Sequence, residues 1–298
     1  MKSDQILAVT KMQHFIENNL NKPISLFELS RIAGYSPCHS AKLFKAYTGK
    51  APFEYIRALR LSKAALVFRD QPCKVIDVAF DFVFDSHEGF TRAFTREFGI
   101  NPKTYIKKRS PLKLFLPYPV SDYQFHKSKG EMTMDNKTII TVFTQVIEKP
   151  QRKLILKRGI KADEYFSYCD EVGCDIWGIL SSIADALYEP MGLWLPVNIR
   201  APGTSEYVQG VEVASDFNGE IPEGFEIIDL KPEKIMIFQG PTYDDSVFEE
   251  AISDMIEAIK KFDPTLSGFK WNTESPRFQL EPQGYRGYIE GLPVLNNK

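Results

Sequence analysis

The chain has 298 residues, 43% hydrophobic, 26% charged and 13% aromatic, with a formal net charge of -2. That length suits about two domains of roughly 150 residues, and the apolar fraction can fill their cores, which excludes low-complexity disorder and collagen-like repeats. No apolar run reaches the roughly 18–20 residues of a membrane helix, and the start Met1-Lys2-Ser3-Asp4-Gln5 lacks a signal-peptide core, so a cytoplasmic protein with no membrane partner is expected.

The charge is divided. Residues 1–109 carry 18 Lys and Arg against 10 Asp and Glu, a net of +8, and residues 110–298 carry a net of -10. A basic segment joined to an acidic one points to a polyanion partner for the first. Cys38, Cys73, Cys169 and Cys174 form no C-x-x-C pair, and His14, His39, His87 and His126 stand at no zinc-ligand spacing. Free thiols, no metal and no other cofactor are expected.

From the N-terminus, Ser25 and Glu28 have the spacing of a capping box. Leu26, Leu29, Ile32 and Ala33 then make the apolar stripe of a short helix that ends at a Gly34-Tyr35 turn. Ser36-Pro37 reads as the N-cap and first turn of a second helix, closed by Gly49. Pro52 opens a long helix to about Arg69, carrying Phe53, Ile56, Leu59, Ala64, Leu66 and Val67.

The pattern recurs at an offset of 50: Ser36 with Ser86, Phe44 with Phe94, Gly49 with Gly99, Pro52 with Pro102, Tyr55 with Tyr105 and Ile56 with Ile106. Six identities in 21 residues exceed the one or two that chance gives, roughly, at ordinary composition. In the second copy Val75, Ile76, Val78, Ala79 and Phe82 form the first helix, and Val83-Phe84-Asp85 the turn. Valine resists a positive φ, so this turn is expected to be distorted or tightened in another way. Helix, tight turn, helix, twice over, is a DNA-binding arrangement, with the long helix fixing the spacing of the two reading helices.

With Leu43, Phe44 and Tyr47 facing the core, Cys38, Ala41, Lys42 and Lys45 lie outward at helical spacing, with His39 in the first turn. In the second copy Phe90, Ala93, Phe94 and Phe98 face inward, which leaves Glu88, Thr91, Arg92 and Thr95 outward and His87 alongside. Lys42 and Arg92 hold equivalent positions and suit guanine O6 and N7. Lys45, Arg96, Ser36 and Ser86 suit phosphates. Taken singly, any of these charges also reads as an ordinary solvated helix face.

Residues 8–109 resemble the AraC/XylS family of transcription regulators through Phe44, Gly49, Pro52 and Tyr55 and their copies Phe94, Gly99, Pro102 and Tyr105. The resemblance implies two recognition helices entering successive major-groove segments on one face of DNA, at two unlike half-sites about one turn, roughly 34 Å, apart. Ser40 departs from the family, which places an inward leucine there, and Val83 from its turn glycine.

Residues 110–137 contain Pro111, Pro117 and Pro119 and a polar run through Ser121, Asp122, Ser128, Lys129 and Gly130, and read as a linker. A second domain follows over 138–298. Strands are predicted at 139–147, 153–158, 193–199, 206–213, 225–230, 234–239, 277–281 and 285–290, and amphipathic helices at about 174–188 and 246–262. A weaker repeat at offset 81 pairs Lys153-Leu154-Ile155-Leu156 with Lys234-Ile235-Met236-Ile237, and Gly159 with Gly240. It predicts two α+β halves about a pseudo-twofold axis with a groove between them.

This half resembles the GyrI-like effector-binding domain through Gly210-Val211-Glu212-Val213, Phe238-Gln239-Gly240-Pro241 and the run from Tyr288 through Glu290-Gly291-Leu292-Pro293 to Val294. The domain order is similar to that of Rob-type activators. The fold class so expected has two domains: an all-α double helix-turn-helix, then an α+β GyrI-like module of two pseudo-symmetric strand and helix halves.

The resemblance implies an aromatic groove for lipophilic or cationic compounds, since a cation needs π-faces and a neutralising carboxylate. Candidate lining residues are Trp177, Trp194, Tyr207, Phe238, Tyr243, Trp271, Tyr285 and Tyr288. The family's glutamate follows an aromatic on the penultimate strand. Here Gln279 follows Phe278, and Glu281 comes two residues later on the same face, so either Glu281 carries the charge or the groove is neutral at its centre. The aromatics equally suit ordinary core packing, and Glu212, Glu281 and Glu290 on strands would ordinarily face solvent.

The function these features imply is a DNA-binding transcriptional activator, not an enzyme, whose second domain binds a small effector. The implied partners are double-stranded DNA, that effector and RNA polymerase. Two alternatives for the second domain stay open: a GyrI-like small-molecule hydrolase, and a protein–protein adaptor.

Overall fold

The computed structural model describes residues 2–117, 120, 141–244 and 247–297. The chain divides into two compact units, residues 1–132 with 182–184 and residues 133–181 with 185–298. Pro119, the polar run from Ser121 to Gly130 and the predicted domain start near Asn136 lie outside the described residues.

The first unit contains α1 (Lys2–Asn18), α2 (Leu26–Ala33), α3 (Pro37–Thr48), α4 (Pro52–Asp70), α5 (Val75–Asp81), α6 (His87–Phe98) and α7 (Pro102–Lys108). Local chemistry sets the boundaries. Ser25 Oγ accepts from the Glu28 N–H at 3.2 Å while the Glu28 carboxylate accepts from the Ser25 N–H at 2.8 Å, the reciprocal cap that starts α2. Gly34, Gly49 and Gly99 end α2, α3 and α6 in the left-handed region.

The helix α4 belongs to two cores. Tyr55, Ile56 and Leu59 pack with Val9, Met12, Ile16, Leu29, Leu43 and Phe44, whereas Leu61, Ala64, Ala65 and Phe68 pack with Val75, Val78, Phe90, Phe94 and Tyr105. Apolar residues therefore ring α4, and buried positions occur on every turn. Its 19 residues span about 28 Å at 1.5 Å per residue.

After α7 the chain returns along this unit. Leu112 and Leu114 enter the second core, Leu116 touches both cores and Val120 enters the first. The Phe115 N–H donates to Ser62 Oγ at 2.7 Å and the Val120 N–H to Gln13 Oε1 at 2.8 Å. Part of the stretch that composition reads as a linker is thus a packed strap, because alternate leucines outweigh the flanking prolines.

The second turn corrects the sequence expectation. Val83 adopts the left-handed conformation itself, at φ 61°. The Phe84 N–H reaches Ala79 O at 2.9 Å and the Val83 N–H reaches Phe80 O at 2.9 Å, matching the way Tyr35 and Gly34 bond back to Ser30 and Arg31 in the first turn. The geometry is conserved between the copies, and valine bears the strain.

The second unit contains β1 (Phe143–Lys149), β2 (Arg152–Arg158), α8 (Tyr165–Val172), α9 (Ile176–Ser181), β3 (Met191–Trp194), β4 (Tyr207–Ala214), β5 (Glu226–Leu230), β6 (Glu233–Gln239), α10 (Phe248–Lys261), β7 (Phe269–Trp271), β8 (Arg277–Leu280) and β9 (Ile289–Asn296). The antiparallel sheet runs β1-β6-β9-β8-β3-β4-β2-β5, with β7 paired to β9. This order is a palindrome of equivalents: β2 matches β6, β3 matches β8, β4 matches β9 and β5 matches β1. Lys153 opposes Val213 and Lys234 opposes Val294, so the offset of 81 holds in the register itself. It equates Tyr207 with Tyr288, Gln209 with Glu290 and Gly210 with Gly291. At the centre Gly192 opposes Gln279.

The edge strands cross over. A two-residue connection takes β1 into β2 and β5 into β6, although each pair lies at opposite ends of the strand order. So short a link spans about 11 Å at most, which forces the sheet to curl. Leu154, Leu156, Met191, Leu193, Val208, Ile235 and Phe278 fill the enclosed face. Where the links cross, Lys149 Nζ meets Glu212 Oε2 at 2.7 Å, Arg152 Nε meets Glu212 Oε1 at 2.7 Å, and the Arg152 guanidinium also pairs with Glu233. Burial pulls the Lys149 ammonium below its usual range, against the opposing charge of Glu212.

Several predicted boundaries move. The helix expected over 174–188 is confined to Ile176–Ser181, and Ala186 instead bridges to Val213. The strand expected over 193–199 ends at Trp194, and Pro196 begins a turn, its carbonyl accepting from Ile199 and Arg200 at 3.0 Å. The strand expected over 285–290 lies at 289–296, running through Pro293, which donates nothing to the ladder but accepts from the Asn272 N–H at 2.9 Å. Helix α8, absent from the expectation, is capped by Glu164, whose carboxylate takes the Phe166 and Ser167 N–H groups at 2.8 and 2.6 Å. Residues 139–140 of the first predicted strand lie outside the described residues.

Candidate nucleic-acid interface and effector groove

In the first unit, α3 and α6 are presented alike. Ser36 Oγ accepts from the His39 N–H at 3.4 Å and Ser86 Oγ from the Gly89 N–H at 3.0 Å, while each hydroxyl hydrogen remains a donor. Leu43, Phe44, Phe90 and Phe94 are buried beneath. On α3 the outer face carries Cys38, His39, Lys42 and Lys45, all exposed, with Ala41 half-buried. The His39 ring rests against Tyr35, with centroids 4.8 Å apart.

On α6, Glu88, Arg92, Thr95 and Arg96 are exposed, and His87 is half-buried. Thr95 Oγ1 donates to Thr91 O at 2.8 Å, and the Thr91 hydroxyl oxygen is shielded from solvent. Ser40 is fully buried, and its hydroxyl has no partner among the described residues. The outer faces thus offer guanidinium, ammonium, hydroxyl and imidazole groups over two rigid aromatic cores.

In the second unit, residues directly opposite across antiparallel strands share a face. Trp194 opposes both Tyr207 and Arg277, Gly192 opposes both Gln209 and Gln279, and Gln279 opposes Glu290. The helices pack over the outer strands of this face. Tyr168 of α8 meets Tyr207 at a ring separation of 5.5 Å, α9 lies against β4, and Met255 and Ile259 of α10 pack on Met236, Phe238, Tyr288 and Val294. The centre is left to β3 and β8.

There the Arg277 guanidinium stacks 4.1 Å from the Trp194 ring centroid and bonds Glu290 Oε1 at 3.1 Å, and Tyr288 Oη donates to Glu290 Oε2 at 2.8 Å. A side chain at Gly192 would collide with the Tyr207 hydroxyl, so the bare backbone makes room for that ring. Burial raises the Glu290 carboxyl above the usual range, with Arg277 and Tyr288 pulling it back. Burial likewise holds the Tyr207 and Tyr288 phenols protonated as donors.

The predicted groove residues divide. Trp194, Tyr207 and Tyr288 come together on this face. Trp177 is buried in α9. Phe238 and Trp271 join Phe262 in an aromatic cluster beneath α10, at 5.0 and 6.4 Å from its ring. Tyr243 and Tyr288 border a cavity of about 260 Å³, with Glu250, Asp254 and Met255. Tyr285 is 77% exposed. Glu281, one residue past β8, accepts from Gln283 Nε2 at 3.0 Å.

Glu212 and Glu290, expected at solvent-facing strand positions, are buried. The carboxylate on this face is Glu290, which the sequence alone assigns to solvent and leaves out of the groove candidates. The offset of 81 carried the signal, since it pairs Glu290 with Gln209 two residues after the matched tyrosines.

Two matched helix-turn-helix units on one shared helix define a double helix-turn-helix module. A family model described as "Helix-turn-helix domain" matches residues 29–108. The chain is 36% identical over 130 residues to the transcriptional regulator Rob of Salmonella typhimurium, covering 41% of this chain and 45% of that one. It is 32% identical over 101 residues to the HTH-type transcriptional activator AarP of Providencia stuartii, covering 34% of this chain and 75% of AarP. The chain belongs to the AraC-type helix-turn-helix family of transcriptional regulators. It spans less than half the length of Rob in that match. Among solved structures, that of SAV2435 bound to tetraphenylphosphonium is similar at 15% identity and a TM-score of 0.36, over 51% of this chain and 94% of that one.

Proposed function

We propose that the chain is a sequence-specific DNA-binding transcriptional activator whose second unit takes a small effector on the central face of its sheet. The observation that carries the DNA reading is the sharing of α4 by the cores beneath α3 and α6. One helix then fixes the spacing of the two reading helices, as two half-sites one turn of B-DNA, roughly 34 Å, apart require. Lys42 and Arg92 are matched in the repeat and both exposed, and are assigned to base edges; Lys45, Arg96, Ser36 and Ser86 are assigned to phosphates. The effector reading rests on Trp194, Tyr207, Tyr288 and Glu290 gathered on one face. RNA polymerase is the partner such an activator engages.

Selection of the full chain against random duplex DNA tests this reading. Enrichment of two unlike half-sites about one turn apart is expected, and a pool that stays random contradicts it.

A further inference from the structure

Resting on the effector reading above, we propose that Arg277 is the groove's own cation and sets its ligand class: an uncharged aromatic compound, with cations excluded from the centre. A cationic guest needs a π-face to lie on and a carboxylate to neutralise it. Both are already engaged. The guanidinium of Arg277 lies 4.1 Å over Trp194, and its Nη1 holds Glu290 Oε1 at 3.1 Å. Tyr288 occupies the other carboxylate oxygen at 2.8 Å.

This arrangement is built into the sheet. Arg277 directly opposes Trp194 across β3 and β8, and Gln279, two residues on and facing the same way, directly opposes Glu290 across β8 and β9. The carboxylate side chain is 4% exposed and the arginine 46%, so the arginine caps Glu290 from the open side. Neutral hydrogen-bonding capacity is what remains. Gln209, the pseudo-twofold mate of Glu290, is buried on the same face, where its amide lies beside the Tyr207 hydroxyl. An adjacent donor and acceptor suit an amide-like or heteroaromatic group better than an ion.

The test uses the full chain and two probes of the same shape that differ in charge, benzyltrimethylammonium and its carbon isostere neopentylbenzene, titrated by tryptophan fluorescence. Wild type should bind the isostere at least tenfold more tightly than the cation. Arg277→Met should raise affinity for the cation at least tenfold, Arg277→Lys, which keeps the charge, should not, and adding Glu290→Gln to Arg277→Met should cancel the gain. That last arm assigns the gain to the centre of the face, because Glu250 and Asp254 border the neighbouring cavity. Preference of wild type for the cation, or a gain that survives loss of Glu290, overturns the assignment of Arg277 and leaves the effector reading standing. If no variant binds either probe, the effector reading itself falls and the assignment with it.

Discussion

The ring of Phe44 stands edge-on to that of Tyr55 with centroids 5.0 Å apart, and their repeat mates Phe94 and Tyr105 meet at 5.9 Å. In each copy the phenylalanine comes from the reading helix and the tyrosine from the helix that follows, so one aromatic contact seats each recognition helix. Phe44→Ala and Phe94→Ala should each cost about 3–5 kcal/mol, since both side chains are fully buried. Urea denaturation checks this, and a loss below 1 kcal/mol in either, roughly a surface-substitution effect, would show that the contact is dispensable.

Val83→Gly should stabilise the first unit. A left-handed residue costs an L-amino acid about 1–2 kcal/mol, and glycine gives back about 0.5–1 kcal/mol as chain entropy. The net expectation is a gain of about 0.5–1 kcal/mol, read as a higher urea midpoint. A lower midpoint would mean that packing of the half-buried valine outweighs its backbone strain.

The double helix-turn-helix was legible because its punctuation is local. The caps Ser36 and Ser86, the helix-ending Gly49 and Gly99 and the helix-opening Pro52 and Pro102 recur at a fixed offset, and Phe44, Phe94, Tyr55 and Tyr105 lie where that rhythm puts them. The second unit was legible only in outline. Its halves follow the offset of 81, but the crossed edges, the burial of Glu212 and the choice of Glu290 over Glu281 depend on which strand lies beside which, and no local pattern encodes that. Pro293 in β9 contradicts a local rule that strand pairing overrides, whereas Glu164 caps α8 by local bonds from a residue type outside the usual N-cap set.

Glu212→Gln should destabilise the second unit by about 3–5 kcal/mol, because it strips the buried Lys149 and Arg152 of their shared counter-charge. Thermal and urea unfolding measure it, and an unchanged midpoint would contradict the ion cluster's role in closing the sheet.

Glu290 gives a pH signature. Its carboxyl titrates above the ordinary range in the folded chain, so between the unfolded and folded values the native state holds more protons. Its contribution is therefore greatest at low pH and declines as pH rises from the usual carboxylate range through the raised value. The stability of wild type relative to Glu290→Gln should fall across that window and stay flat above it. A difference that rises with pH would contradict the burial-dominated shift.

Lys45→Ala and Arg92→Ala should separate phosphate from base contacts. Loss of Lys45 should weaken binding evenly across sequences and reduce the salt slope by about one, whereas loss of Arg92 should cost about 1–3 kcal/mol and relax one base position. Fluorescence anisotropy on matched and mutated sites at several salt concentrations distinguishes them, and equal losses on all sequences for both variants would contradict the assignment.

With α3 and α6 both packed on α4, one chain should read two half-sites on one face of DNA. The most direct test is the affinity of the full chain for its selected operator before and after five base pairs are inserted between the half-sites. Half a turn moves the second half-site to the opposite face, beyond the reach of a helix pair fixed by α4, and affinity should fall to the level of a single half-site. Unchanged affinity would contradict the account, because it would mean that α3 and α6 do not read the DNA together.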